Sequence, residues 1–270
     1  MKIMRVDARA GRVETESTEV LVLTHCEGEV FSKQATVIDK SMGGALRELL
    51  QSKEFEGKAH ELALVHTQGK VPAKRILLVG LGKAKDVTVD QLRQAMGHVA
   101  KRVRQTKAGF FTVAVPSVTP QGASSVEVAQ AMAEGAILGS YHFTAYRSEG
   151  ASGKDVKGMS LLAAQTSDLQ SIAEGIRRGV ATAEAAVLVR DLCNHPSNVM
   201  TPTKIANEAK AIAKEESLTL KILEQKDIEK LGMGALLGVA RGSHEPPKFI
   251  ILEYKGSKKK DERPVVLVGK

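Results

Sequence analysis

The chain has 270 residues, 43% of them hydrophobic and 26% charged, which is enough apolar mass for one large or two modest domains and excludes wholesale disorder. Three tyrosines, six phenylalanines and no tryptophan leave an aliphatic core and exclude a reader of single-stranded nucleic acid built on exposed rings. The excess of 39 basic over 31 acidic side chains gives a formal charge of +8, but it is spread along the chain, and its one dense run, Lys255–Lys260, meets Asp261 and Glu262 at once and reads as a solvated loop between strands.

Short apolar runs rich in branched residues mark strands at Val20–Leu23, Leu62–Val65, Arg75–Val79, Phe110–Val115 and Met159–Ala163. They are almost continuously apolar, as expected of strands covered on both faces. Between them lie helical segments. In 89–105, Leu92, Met96, Val99 and Val103 share a face, and Thr88 with Gln91 forms a capping box; in 125–139, Val128 and Met132 repeat the pattern. Strands alternating with helices predict an α/β layer sandwich over residues 1–165. A long helix follows over 166–196, with Leu169, Ile172, Ala173, Ile176, Val180, Ala183 and Val187 in one stripe, and is expected to connect two domains. A second α/β series occupies 197–270. Thr201-Pro202 opens a helix whose buried face is expected to be Ile205, Ala209 and Ile212; strands are expected at Leu218–Leu223, Phe249–Leu252 and Val265–Val268, and a short helix at Asp227–Leu231. Ending directly after a buried-type strand, this second series reads as the first part of a domain.

Cys26 and Cys193 lie far apart, too few and too widely spaced for a disulfide framework or a cysteine zinc site, and read as free thiols in a reducing cytosol. The N-terminus has no apolar leader and no stretch is long enough to span a bilayer, so a cytoplasmic, non-membrane protein is expected. Several motifs fail on inspection. Gly80-Leu-Gly82 follows a strand, but the third glycine of a dinucleotide fingerprint would fall at Lys85, and Lys83 lacks the glycine a P-loop needs at Leu77; the segment reads as a tight turn. His60-Glu61 and His244-Glu245 have no second histidine four residues on, which excludes a zincin helix, and no Gly-x-Ser-x-Gly elbow is present.

Three segments carry more information. Arg190-Asp-Leu-Cys-Asn-His-Pro-Ser-Asn-Val-Met-Thr-Pro202 resembles the stretch of leucyl (cytosol) aminopeptidases that ends the connecting helix and enters the catalytic domain. Gly232-Met-Gly-Ala-Leu-Leu-Gly-Val-Ala-Arg-Gly-Ser243, followed by Glu245-Pro-Pro247, resembles that family's next motif, and Pro264-Val-Val-Leu-Val-Gly-Lys270 the strand that delivers its first active-site lysine. The three occur in family order, and the region before them is similar in layout to the family's N-terminal domain.

The resemblance implies a metal-dependent aminopeptidase that removes N-terminal residues, often leucine, from peptides with two divalent ions such as Mn or Zn, whose pairing suits activation of a shared water. It implies a macro-domain-like N-terminal sandwich, a homohexamer when intact, and Lys270 as a metal ligand through a neutral amine, a form that an adjacent dication favours. The family's carboxylate ligands follow this lysine and are not among the 270 residues, so no catalytic residue is assigned within the chain and the chain alone is expected to be inactive. Two other classes compete: a binding module for ADP-ribose-like ligands in the N-terminal sandwich, and a nucleic-acid-binding role permitted by the charge.

Overall fold

The structure, a computed structural model, describes residues 3–147, 155–257, 259 and 262–269. The chain divides into two compact units, Met1–Arg190 and Asp191–Lys270. In the first unit, strands β1 (Arg5–Ala10), β2 (Leu21–His25), β3 (Leu62–His66), β4 (Arg75–Gly80), β5 (Phe110–Ala114) and β6 (Gly158–Ala163) form one sheet in the order β1-β6-β5-β2-β4-β3. Within this sheet, among the described residues, only the β3–β4 pair is antiparallel; β2 meets β4 in parallel register, Leu21 beside Ile76 and His25 beside Gly80. The helices are α1 (Lys33–Ser41), α2 (Ala45–Gln51), α3 (Val89–Gln105), α4 (Ser125–Ser140) and α5 (Leu169–Asn194).

Successive strand side chains point to opposite faces, and here both faces are apolar. Leu77 and Val79 of β4 join Val113, Met159 and Leu161 in a core shared with Met96 and Val99 of α3, Met132 of α4 and Ile172 of α5. Their neighbours Ile76 and Leu78, with Leu21 and Leu23 of β2, enter a second core with Ile38 of α1, Leu46 of α2 and Phe55. This is the expected α/β/α sandwich, and it explains why the central strands read as unbroken apolar runs. Each fully buried side chain of this size contributes about 1.5–3 kcal/mol.

Helix α3 starts as expected: the Thr88 hydroxyl accepts from the Gln91 amide and the Gln91 side chain accepts from the Thr88 amide. Its inward face is Leu92, Met96, Val99 and Val103. Glycines let the helices on this side of the sheet approach closely. A Cβ on Gly135 of α4 would lie 2.0 Å from the Arg93 carbonyl oxygen of α3, and one on Gly175 of α5 would lie 2.3 Å from the Val126 carbonyl oxygen of α4. At the same seam Glu134 is buried and accepts from Arg93 Nε at 2.7 Å and from Gln130 Nε2 at 2.8 Å, which satisfies its carboxylate.

Three elements of this unit do not show in the apolar runs. In β1 the residues Arg5, Asp7 and Arg9 are exposed while Val6 and Ala8 pack inward, so the strand alternates charge with small apolar groups. Helices α1 and α2 are short, with the Ser32 hydroxyl accepting from the Ala35 amide at the start of α1. The buried Asp39 carboxylate of α1 accepts from the Leu46 and Arg47 amides, both at 3.0 Å, and so fixes the start of α2.

The second unit contains α6 (Pro202–Glu215), β7 (Thr219–Leu223), α7 (Gln225–Lys230), α8 (Gly234–Ala240) and β8 (Phe249–Glu253), with β7 and β8 in an antiparallel pair. The inward line of α6 is Ala206, Ala209 and Ala213, whereas Ile205 is 42% exposed, which corrects the expected face by about one residue. The helix start, fixed by the Thr201 hydroxyl accepting from the Lys204 amide, turns the small alanines toward the strands and leaves the bulkier Ile205 outside. Val265–Val268, expected as a strand, pairs with no strand among the described residues, and its side chains are 72–93% exposed. A β-branched run becomes a strand only where a neighbouring strand and a covering layer accept it.

Candidate functional site

The first of the three aminopeptidase-like segments closes α5 and starts α6. Arg190 donates from Nη1 to the Leu138 carbonyl at 3.3 Å and lies 5.5 Å from the centre of the Tyr141 ring, which ties the end of α5 to the end of α4. The Val199 and Met200 amides both donate to the Pro196 carbonyl at 2.9 Å, and Thr201 then caps α6 with Pro202 in its first turn. The local role of Pro196, Thr201 and Pro202 is therefore to form the turn after α5 and to start α6.

The second segment begins at the end of α7. Gly232 sits at φ +66°, its amide donates to the Glu229 carbonyl, and the Met233 amide donates to the Ile228 carbonyl, so the glycine supplies the left-handed residue that terminates the helix. Helix α8 and the turn after it border an open depression of about 540 Å³, with Arg241, His244, Glu229 and Glu245 among its lining. The Ser243 hydroxyl accepts from the Glu245 amide and holds the turn. Residues 241–245 are all exposed, so the depression holds no desolvated polar group of the kind a tight small-molecule site uses.

The third segment ends at Lys270, the one residue given a metal-binding role from sequence, and Lys270 lies outside the described residues. Among the described residues no three His, Cys, Asp or Glu side chains come together in a way that could hold an ion. The donors needed for a pair of divalent cations are therefore not assembled there, and no hydrolytic step is assigned to them.

In the first unit the geometry decides the role of Gly80-Leu-Gly82. The Gly80 amide donates to the Glu61 carbonyl, the Leu81 amide to the His25 carbonyl and the Gly82 amide to the Gly57 carbonyl, all at 2.9 Å. A phosphate cradle needs free amides, and these are committed to the protein. A Cβ on Gly80 would also lie 1.9 Å from the Lys58 carbonyl oxygen, so this glycine admits the neighbouring turn 56–61. That turn did not emerge from the apolar runs; its signal is Gly57, at φ +81° amid charged residues. Beside it, burial holds the His25 imidazole below its ordinary pKa and pushes the Cys26 thiol up, which leaves Cys26 a packing group rather than a nucleophile.

With this geometry in place, comparison with known proteins is informative. Residues 20–150 match the family model described as "Cytosol aminopeptidase family, N-terminal domain", and residues 187–270 match "Cytosol aminopeptidase family, catalytic domain". A probable cytosol aminopeptidase from a Geobacter species is 39% identical over 276 residues, covering 99% of this chain and 53% of the relative. One from Alkaliphilus metalliredigens is also 39% identical, covering 86% of this chain and 47% of its own. Among solved structures, a mutant of tomato leucine aminopeptidase aligns with a TM-score of 0.78 at 26% identity, covering 92% of this chain and 50% of that one. The bottromycin maturation enzyme BotP in complex with Mn aligns at 0.68 and 26%, covering 88% and 46%. The chain spans about half the length of the curated relatives it matches. No helix among its described residues is long and apolar enough to cross a membrane. With its N-terminal sandwich and its second α/β unit each matched in order, the chain belongs to the cytosol aminopeptidase family.

Proposed function

We propose that these 270 residues are the N-terminal sandwich (1–165), the connecting helix (166–196) and the opening part (197–270) of the catalytic domain of a metal-dependent aminopeptidase that removes N-terminal residues, leucine among them, from peptides. The observation that carries this reading is the catalytic-domain match over residues 187–270, which contains all three aminopeptidase-like segments. The manganese in the BotP structure supports a divalent cation, Mn or Zn, for the assembled enzyme. The relatives' description as cytosol aminopeptidases supports a cytoplasmic enzyme acting on peptide substrates; the homohexamer rests on the family resemblance alone.

Lys270 is assigned as a metal ligand, and the family resemblance implies that the carboxylates completing the site follow it; the chain covers 53% of the Geobacter relative. A single amine is too little to hold two dications, so the 270 residues alone are inactive in this reading. The phosphate-ligand alternative finds no support at residues 80–82, whose amides are all engaged.

Two assays test the proposal. The 270-residue protein, purified free of contaminating peptidases, should release no chromophore from leucine p-nitroanilide in Mn²⁺ buffer. A fusion to the second half of the Geobacter relative should do so, and Lys270→Ala in the fusion should abolish it. Hydrolysis by the short chain refutes the assignment of its inactivity; a folded, metal-loaded fusion without activity refutes the aminopeptidase reading.

A further inference from the structure

Three histidines converge on the turn 56–61. His60, at φ +67° in the turn, stacks on His98 of α3 with ring centres 4.9 Å apart and planes 30° from parallel. On the other side, a Cβ on Gly57 would lie 2.8 Å from Cδ2 of His25, so the turn rests directly on that buried imidazole. Three main-chain bonds join the turn to the end of β4: the His60 amide donates to the Gly80 carbonyl, the Gly80 amide to Glu61, and the Gly82 amide to Gly57. A non-glycine residue in the left-handed region is held there by its surroundings, so His60 keeps this conformation only while the turn stays docked.

The pair is built for neutral rings. His60 Nδ1 is buried and has no hydrogen-bond partner among the described residues, so the nitrogen serves as a bare acceptor and the proton belongs on Nε2. A proton on Nδ1 would be a buried donor with nothing to receive it. The surrounding charges offer little relief. Burial, followed by His60 and Lys101, pulls the His98 pKa down. On the turn, Glu56 pairs with Lys58, which also feels Glu27 and Glu61, while the Glu61 carboxylate accepts from the Glu56 and Lys58 amides. Glu29 faces His25. The stretch Gly80–Gly82 brings no ionisable side chain.

We infer that the turn 56–61 is a pH-responsive latch across the carboxyl ends of β2 and β4: mild acid charges His98 where it stacks on His60, the rings part, and the turn is released from Gly80–Gly82. The sign follows from the depressed His98 pKa. The docked state takes up fewer protons than the released one, so docking is complete above the ordinary histidine value of about 6.5 and is lost as pH falls through the lowered one.

Amide hydrogen exchange on the full 270-residue chain at pH 7.5 and 5.5, each rate divided by the intrinsic rate at that pH, tests this. Protection at His60, Gly80 and Gly82 should fall several-fold at the lower pH, while amides within β2 and β5 hold. His98→Phe keeps a stacked ring that cannot charge and should retain its protection at pH 5.5. His98 is exposed, so the replacement leaves the core untouched, and His98→Gln provides a second uncharged variant. Unchanged protection in the wild-type turn overturns the latch, and so does an equal fall in both variants, which would place the response on a group other than His98.

Discussion

Replacing Gly135 with alanine puts a methyl carbon 2.0 Å from the carbonyl oxygen of Arg93 and 2.8 Å from its carbonyl carbon. A carbon–oxygen contact relaxes at about 3.3 Å, so α3 and α4 must part by roughly 1 Å or more. Both clashing groups are helix backbone, and no side chain can swing aside. Overpacking of this kind costs about 1–3 kcal/mol, and a rigid backbone clash belongs at the top of that range. Alanine returns about 1 kcal/mol through its better helix propensity, leaving a net loss of about 2 kcal/mol. For a unit of this size that lowers the melting temperature by roughly 4–8 °C. Gly97→Ala is the internal control on the facing helix: its methyl would meet the Gly135 oxygen at 3.5 Å, an ordinary contact. That variant should be neutral or gain up to about 1 kcal/mol. Thermal unfolding of both variants, with hydrogen exchange of α3 and α4 amides to localise the change, decides the matter. A Gly135→Ala protein as stable as wild type, or a Gly97→Ala protein equally damaged, refutes the close-approach argument.

Other outcomes follow from single contacts. Thr88→Ala removes one half of the α3 capping box and should cost about 1 kcal/mol in urea unfolding, with Thr88→Ser restoring most of it. Glu134→Ala takes the acceptor from Arg93 and Gln130 at a buried position; about 1.5–3 kcal/mol should be lost, and a loss below about 0.5 kcal/mol would mean water replaces the carboxylate freely. A thiol reagent at neutral pH should label the exposed Cys193 within minutes and reach the buried Cys26 only after denaturant is added. Equal rates would contradict the burial of Cys26.

The sandwich was largely legible in the sequence because its central strands are covered on both sides and are built mainly of apolar residues, with Thr112 and His25 as the buried polar ones among them. The run Arg75–Val79 gave β4 almost to its ends, and Thr88 with Gln91 marked the first turn of α3. What escaped were elements whose stability comes from outside themselves. Strand β1 alternates arginine and aspartate with small residues and is recognisable only once β6 lies beside it. Helix α2 takes its start from Asp39, a residue of the helix before it. The candidate site was legible by resemblance rather than by chemistry, since the motif residues Pro196, Thr201, Gly232 and Ser243 serve turns and caps. The glycines at 80 and 82 read as a tight turn, and the structure adds that Gly80 also makes room for the Lys58 carbonyl, a relation no local pattern encodes.

The pairing of β1 with β6 has a consequence for how the chain is made. Arg5 sits beside Gly158, so β1 waits for a partner about 150 residues behind it, an interval on the order of 10–30 s at ordinary synthesis rates. Strands β2, β3 and β4 all lie within residues 21–80 and can pair among themselves during that interval. Synthesis thus favours a sheet that grows outward from β2–β4, with β1 closing its far edge last, and the exposed Arg5, Asp7 and Arg9 keep that waiting segment soluble in the meantime.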